Sequence, residues 1–175
     1  MVTEKLKNEI EFLLVFFSFP GKELFQEIYS GNTPLGNVTE NLTFDEFHDN
    51  LSSAVTDLFI NSPNAKPIYP LLSRYLDDES NIETMRQELG ELYDKYGKRV
   101  VGFPPDHITP LLEHLLMLFG IDDIKLGSEF YNSYIKKLTE GLSKDILKRS
   151  TSECVEKIGL LLQQINTSFE KMVLV

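Results

Sequence analysis

Apolar residues recur at intervals of three and four along nearly the whole chain, a period that predicts helices. Leu6, Ile10, Leu13, Leu14 and Phe17 form one stripe and predict a first helix over about Thr3 to Phe17. Pro20-Gly21 breaks it, and a short helix follows with Leu24, Phe25, Ile28 and Tyr29 inward, ending at Ser30-Gly31. Gly31, Asn32, Pro34, Gly36, Asn37 and Asn41 mark residues 31 to 42 as loop. Phe44, Phe47, Leu51, Val55, Leu58 and Phe59 share one face of a third helix. Pro63, Pro67 and Pro70 then hold Asn61 to Pro70 in extended or turn backbone. The next helix carries Ile82, Met85, Leu89, Leu92, Tyr93 and Tyr96 and stops at Gly97. A helix bearing Leu111, Leu112, Leu115, Leu116, Met117, Leu118 and Phe119 ends at Gly120. It is apolar around much of its circumference, which places it at the centre of the fold. Phe130, Tyr131, Tyr134, Ile135 and Leu138 predict a helix from Ser128 to about Lys148, with Gly141 a candidate interruption. Val155, Ile158, Leu162, Ile165, Phe169 and Met172 line the last one.

Start signals support these boundaries. Thr43 to Glu46, Ser80 to Glu83 and Ser150 to Glu153 each have the capping-box pattern. In such a box the hydroxyl oxygen accepts the third residue's N–H, while the glutamate reaches back to the cap. The central helix has two candidate caps. Asp106 would accept first-turn N–H groups and complement the helix dipole, but Pro110 would then stand where the first intrahelical bond should form. Thr109 as cap would put Pro110 in the first helical position. Both starts remain open at this level. No segment alternates with period two, so no sheet is predicted. The fold class is all-α: a single-domain bundle of six to seven or more helices over residues 1–175.

Composition narrows the function. The formal net charge of −10 repels phosphate backbones, argues against nucleic acid as a partner and favours cationic segments. Cys154 is the only cysteine, so there is no internal disulfide and no cysteine-built metal site. The glycosylation-type triplets at Asn37, Asn41, Asn50 and Asn166 matter only in a secreted chain. The apolar run from Phe12 to Phe17 follows Glu4, Glu9 and Glu11 rather than a basic region, lacks a small-residue cleavage site, and is far too short to span a bilayer. The expectation is a cytoplasmic protein without stable membrane insertion. A Gly-rich phosphate loop, a paired-histidine helix motif and a nucleophile elbow are all missing. His107 and His114, seven apart on one helix, are separated by about 10 Å and do not share a metal. The chain is therefore expected to be non-enzymatic, with no metal and no cofactor. Lys98-Arg99 is a basic pair before the Pro-Pro turn and reads as solvated.

Two irregular, aromatic segments stand apart from the helices: Pro67-Ile68-Tyr69-Pro70-Leu71-Leu72-Ser73-Arg74-Tyr75, and Pro104-Pro105-Asp106-His107. Pro105-Asp106-His107 opening the Leu-rich stretch Ile108 to Phe119 resembles the Pro-Asp-His element of the TorD-like family of redox-enzyme maturation chaperones, which includes DmsD and NarJ types. Leu58-Phe59, Pro67-Ile68-Tyr69 and Tyr75 resemble that family's upstream Leu-Phe and Pro-Tyr segment. The aromatic Phe130-Tyr131 helix and the capped final helix are similar to its C-terminal half. Phe103 stands where the family commonly has Glu, Ile68 is inserted in the Pro-Tyr element, and the C-terminal half has no Trp.

The resemblance implies a cytoplasmic, all-helical, non-enzymatic chaperone. Its partner would be the catalytic subunit of a molybdenum-containing oxidoreductase, often bound at its twin-arginine signal peptide until cofactor insertion is complete. A groove of Phe, Leu and Tyr with acidic residues at its mouth would suit such a peptide's apolar middle and basic front. The implied peptide-binding residues are Tyr69, Tyr75, Pro105, Asp106 and His107. Asp106 and His107 would make polar contacts at the groove mouth, Tyr69 would form a wall, and Pro105 would fix the turn. The alternatives are an assembly subunit for a non-exported nitrate-reductase-type enzyme and a nucleotide-binding protein. A homodimer that exchanges elements through a hinge at 97–105 is compatible with this reading.

Overall fold

The computed structural model describes residues 4–18, 20–38, 41–61, 65–121 and 124–173, so Thr3, Pro63 and the side chain of Met172 lie outside the described residues. The predicted stripes wind into α1 (Glu4–Phe17), α2 (Lys22–Tyr29), α3 (Phe44–Phe59), α4 (Ile82–Lys95) and α5 (Ile108–Gly120). They continue into α6 (Ile124–Phe130), α7 (Lys136–Arg149) and α8 (Glu153–Val173). A π-turn over Tyr131–Ile135 joins α6 to α7 without a break, so the described residues make seven rods in one domain. No strand occurs among them, and no helix is long and apolar enough to cross a membrane.

The apolar helix α5 is central, as its circumference predicted. Ile108, Leu111, Leu112, Leu115 and Leu118 are all buried, and α5 packs against α1, α6 and the π-turn. The final helix α8 lies along α7 and also touches α1 and α3. The α7–α8 approach is close because Gly159 faces Ile146 and Leu147, and the Ser143 hydroxyl donates to the Gly159 carbonyl at 2.9 Å. Around the π-turn, the Tyr131 ring stacks on Phe169 at 3.6 Å and its hydroxyl donates to the Asn166 side chain. The Thr139 hydroxyl lies 2.8 Å from that same amide oxygen. These buried polar groups are satisfied, which keeps their burial from costing stability.

Helix ends follow the local chemistry in part. Thr43 and Glu46 form the predicted capping box at α3. Gly97 (φ 69°) closes α4 in a Schellman turn, with the Lys98 N–H on the Tyr93 carbonyl and the Gly97 N–H on the Asp94 carbonyl. The other two predicted boxes do not form. Asp78 takes the Ser80 N–H at 2.8 Å, the chain enters α4 through a 3-10 turn over Glu79–Asn81, and Asn81 occupies the cap position. The Ser150 hydroxyl donates to the Ser152 carbonyl, and α8 begins only at Glu153. In both places another acceptor takes the backbone N–H that the box's glutamate would receive: Asp78 takes that of Ser80, and the Ile146 carbonyl takes that of Ser150 at 2.8 Å.

Gly141 does not interrupt α7. It lets the Tyr75 ring lie against the helix backbone, where an added Cβ would sit 2.1 Å from the ring. Gly90, inside α4, has open space at the same position. Gly141→Ala should therefore destabilise the fold by about 1–3 kcal/mol through overpacking. Gly90→Ala should stabilise it by about 0.5–1 kcal/mol. Urea unfolding of the two variants checks both signs.

Candidate functional site

The two irregular segments meet. Residue 71 pairs with residue 107 in an isolated antiparallel bridge. The Leu72 N–H donates to the Asp106 carbonyl and the Ile108 N–H to the Pro70 carbonyl, both at 2.9 Å. The Ile68 N–H donates to the Leu58 carbonyl at 2.7 Å, tying the first segment to the end of α3. Prolines at 67, 70, 104 and 105 cannot donate, so pairing is confined to these few positions.

Asp106 locks the meeting point. Its side chain is fully buried, and Oδ1 accepts the Arg86 Nε–H at 2.7 Å. Oδ2 accepts the Ser73 N–H at 3.1 Å, and Arg86 also donates to the Ser73 hydroxyl at 3.3 Å. Burial by itself raises the Asp106 carboxyl pKa, but the Arg86 and Ser73 hydrogen bonds outweigh it and hold the group below its ordinary value. Asp106 is thus a clamp between α4, the 3-10 turn over Leu72–Arg74 and the start of α5, not a contact at a groove mouth. Both its oxygens are committed and its side chain has no exposed surface, so it presents no free acceptor to the loops' outer face.

The start of α5 also differs from both sequence options. His107 is the N-cap, and its Nδ1 accepts the Thr109 N–H at 3.2 Å. Pro110 then falls in the first turn, where its missing N–H is not needed. The Thr109 hydroxyl donates instead to the Phe17 carbonyl at 3.2 Å, fastening α5 to the end of α1.

Beside this junction lies an apolar hollow of about 330 Å³. Phe16 and Phe17 come from the end of α1, and Val55, Phe59 and Ile60 from the end of α3. Tyr69, Pro70, Leu71, Phe103, Pro104 and His107 close it from the two loops. The Phe17 and Phe59 rings meet edge to face at 5.8 Å, and Phe103 stacks on the His107 imidazole at 4.4 Å. Among the described residues, no carboxylate lines the hollow.

The predicted site residues therefore divide. Tyr69 is a wall, 41% exposed, and His107 lies in the lining with little exposure. Pro105 stands behind the surface with its carbonyl accepting the Tyr93 hydroxyl at 2.9 Å. Tyr75 is outside the hollow. Its hydroxyl donates to Asp145 at 3.0 Å, and it shares a separate notch with Lys66, Arg74 and Arg149. Phe16, Phe17, Val55, Phe59, Ile60 and Phe103 line the hollow without having been predicted as site residues. One signal did exist: six consecutive apolar residues from Phe12 to Phe17 exceed what one helical stripe buries.

The chain matches no protein-family model, no curated protein and no solved structure. What fold and site define is a class: an all-α domain with an apolar, histidine-lined hollow between helix ends. Among the described residues, no three His, Cys, Asp or Glu side chains gather to hold a metal ion.

Two predictions follow the clamp and the buried imidazoles. Asp106→Asn keeps the shape but loses the charge facing Arg86. It should cost about 2–3 kcal/mol in urea unfolding, at the low end for an opened buried pair because Arg86 is partly solvated. A residue that merely capped the helix would tolerate Asn. Burial lowers His107 to about 4, with Asp106 partly opposing, and lowers His114 to about 4, with Lys98 adding to the effect. Below about pH 6.5 the unfolded chain binds protons that these folded imidazoles refuse. Stability should fall as pH drops from there toward 4, with a slope approaching about 1.4 kcal/mol per pH unit for each histidine. The Asp106 contribution should disappear only lower, as pH falls through the folded carboxyl's depressed value. Unfolding midpoints measured across pH 7 to 3 check this order, and His114→Phe should remove its own share of the slope.

Proposed function

We propose that the protein is a helical chaperone that shelters an apolar segment of a client polypeptide in the hollow between α1, α3 and the clamped loops. The client is the catalytic subunit of a molybdenum-containing oxidoreductase, held at its twin-arginine signal peptide during cofactor insertion. One observation carries this reading. The hollow is walled by Tyr69, Pro70 and Leu71 and by Phe103, Pro104 and His107, which come from or adjoin the two segments on which the TorD-like resemblance rests.

The physical case is one of complementarity. A hollow of about 330 Å³ holds a few apolar side chains, each contributing roughly 1.5–3 kcal/mol when buried. Its wall positions are held by backbone bonds and the Asp106 clamp, so little ordering cost accompanies binding. The basic front of a signal peptide would be drawn by the net charge of −10 acting at range, since no lining carboxylate meets it. Salt would then slow association more than it weakens the bound state.

The carboxylate-free lining also favours a second reading, an assembly subunit that holds an apolar segment of a client with no twin-arginine leader. Three peptides separate the two readings: a leader peptide, the same peptide with its arginines replaced, and one with its apolar core replaced by serines. Loss of affinity on removing the arginines supports leader recognition, and indifference supports the second reading. Equal binding by the serine-core peptide would end both.

Ile60 lines the hollow and is 68% exposed, so Ile60→Glu should change folding stability by no more than about 0.5 kcal/mol. Isothermal titration should show the leader peptide binding this variant at least about tenfold more weakly, a loss of about 1.4 kcal/mol. A folded Ile60→Glu protein with unchanged affinity would remove the hollow from the binding site.

A further inference from the structure

Two turns beyond His107, α5 carries His114, whose side chain has no exposed surface. Neither ring nitrogen has a hydrogen-bond partner among the described residues. Three aromatic rings surround the imidazole: Phe130 at 4.7 Å, Tyr93 at 5.2 Å and Tyr96 at 5.2 Å. The Tyr93 hydroxyl is already committed to the Pro105 carbonyl, so it does not serve the histidine. Leaving a buried polar group unpaired costs about 1–3 kcal/mol, and such groups are few in folded proteins. An apolar side chain of this shape would fill the same place without that cost.

The imidazole borders a second pocket, of about 200 Å³ and partly open to solvent, which shares no lining residue with the hollow. Tyr96, Leu118, Leu126, Phe130 and Tyr134 form its walls. Ser133 and Tyr134 belong to the π-turn, a distortion that recurs at functional sites. Lys95 and Glu129 are also in the lining, and their opposite charges offset one another. An enclosed apolar cavity of about 150 Å³ accepts a benzene ring, and this pocket is of comparable size but open on one side. This one has room for a ring with a substituent. Its aromatic lining suits edge-to-face contact with another ring.

We propose that this cavity binds a small neutral aromatic molecule carrying a hydroxyl group, a phenol-type ring, with His114 as its hydrogen-bonding partner. A hydroxyl both donates and accepts, so it satisfies either neutral tautomer of the imidazole. A charged ligand would gain little from lining groups of opposite sign. Neither ring nitrogen has exposed surface, so the half-buried Tyr96 ring, 5.2 Å from the imidazole, must move aside before the hydroxyl reaches one of them.

Phenol and toluene are the probes, matched in size and differing in the hydroxyl. Nitrogen-15 NMR of the intact protein reads the His114 ring directly during each titration. Phenol should shift the His114 nitrogen signals saturably and raise the unfolding temperature. Toluene should bind at least about tenfold more weakly, a difference of about 1.4 kcal/mol. His114→Phe should erase the preference for phenol while remaining folded, since it removes two unpaired polar atoms. If that variant does not fold, the titration of the unaltered protein still decides. Unmoved His114 signals at saturating phenol, or equal affinity for phenol and toluene, would overturn the proposal, as would a folded His114→Phe protein that still prefers phenol.

Discussion

A buried carboxylate is among the costliest groups to remove from water, and Asp106 is tolerable only because Arg86 and the Ser73 N–H meet its two oxygens. That requirement determines more than a local contact. Arg86 belongs to α4, Ser73 to a 3-10 turn and Asp106 to the loop before α5, so satisfying one charge sets the relative positions of three elements. The backbone bonds from Leu72 and Ile108 run alongside the ion pair and share its geometry. With the loops pinned, their prolines and aromatic side chains cannot collapse into the gap between α1 and α3. The hollow stays open because its rim is held by polar bonds while its interior is apolar.

The central helix carries both histidines that burial holds neutral, and they have opposite environments. His107 has a structural role: Nδ1 receives the Thr109 N–H, and the ring face stacks on Phe103. His114 has ring contacts on several sides and, among the described residues, no hydrogen-bond partner. The first arrangement stabilises a helix start and shapes a wall; the second leaves hydrogen-bonding capacity inside an aromatic cage. Residue type is the same in both, and only the neighbours separate a structural imidazole from one poised to bind.

The contrast between formed and unformed caps shows where short patterns lose their force. Thr43 to Glu46 closes its box in an exposed stretch without competitors. The Ser80 N–H goes to Asp78, a charged acceptor two residues away, and the Ser150 N–H goes to the Ile146 carbonyl. A four-residue pattern states what bonds are available, not which bond wins. Gly141 is similar: helix propensity predicts a weak point, yet the helix continues there because the absent side chain admits the Tyr75 ring. For the candidate site, the order of the Pro-Tyr and Pro-Asp-His segments was legible, and the structure brings these two segments together. Their side-chain roles were not. Asp106 and Pro105 turned inward, Tyr75 turned to Asp145, and residues from α1 and α3 supplied most of the lining.

From the residues alone came the all-α class, the positions of the helices, the central place of α5 and the proline-rich breaks that leave two loops irregular. These are consequences of local periodicity and backbone chemistry, which act over a few residues and need no knowledge of distant neighbours. Tertiary structure decided which charge was buried, which histidine acted as cap, which aromatic side chains faced the hollow and which imidazole was left without a partner. Each of those depends on groups brought together from far along the chain: residue 86 to 106, 17 to 109, 96 to 114. Burial and hydrogen-bond competition are settled only when the helices pack, because desolvation belongs to the assembled surroundings rather than to the residue.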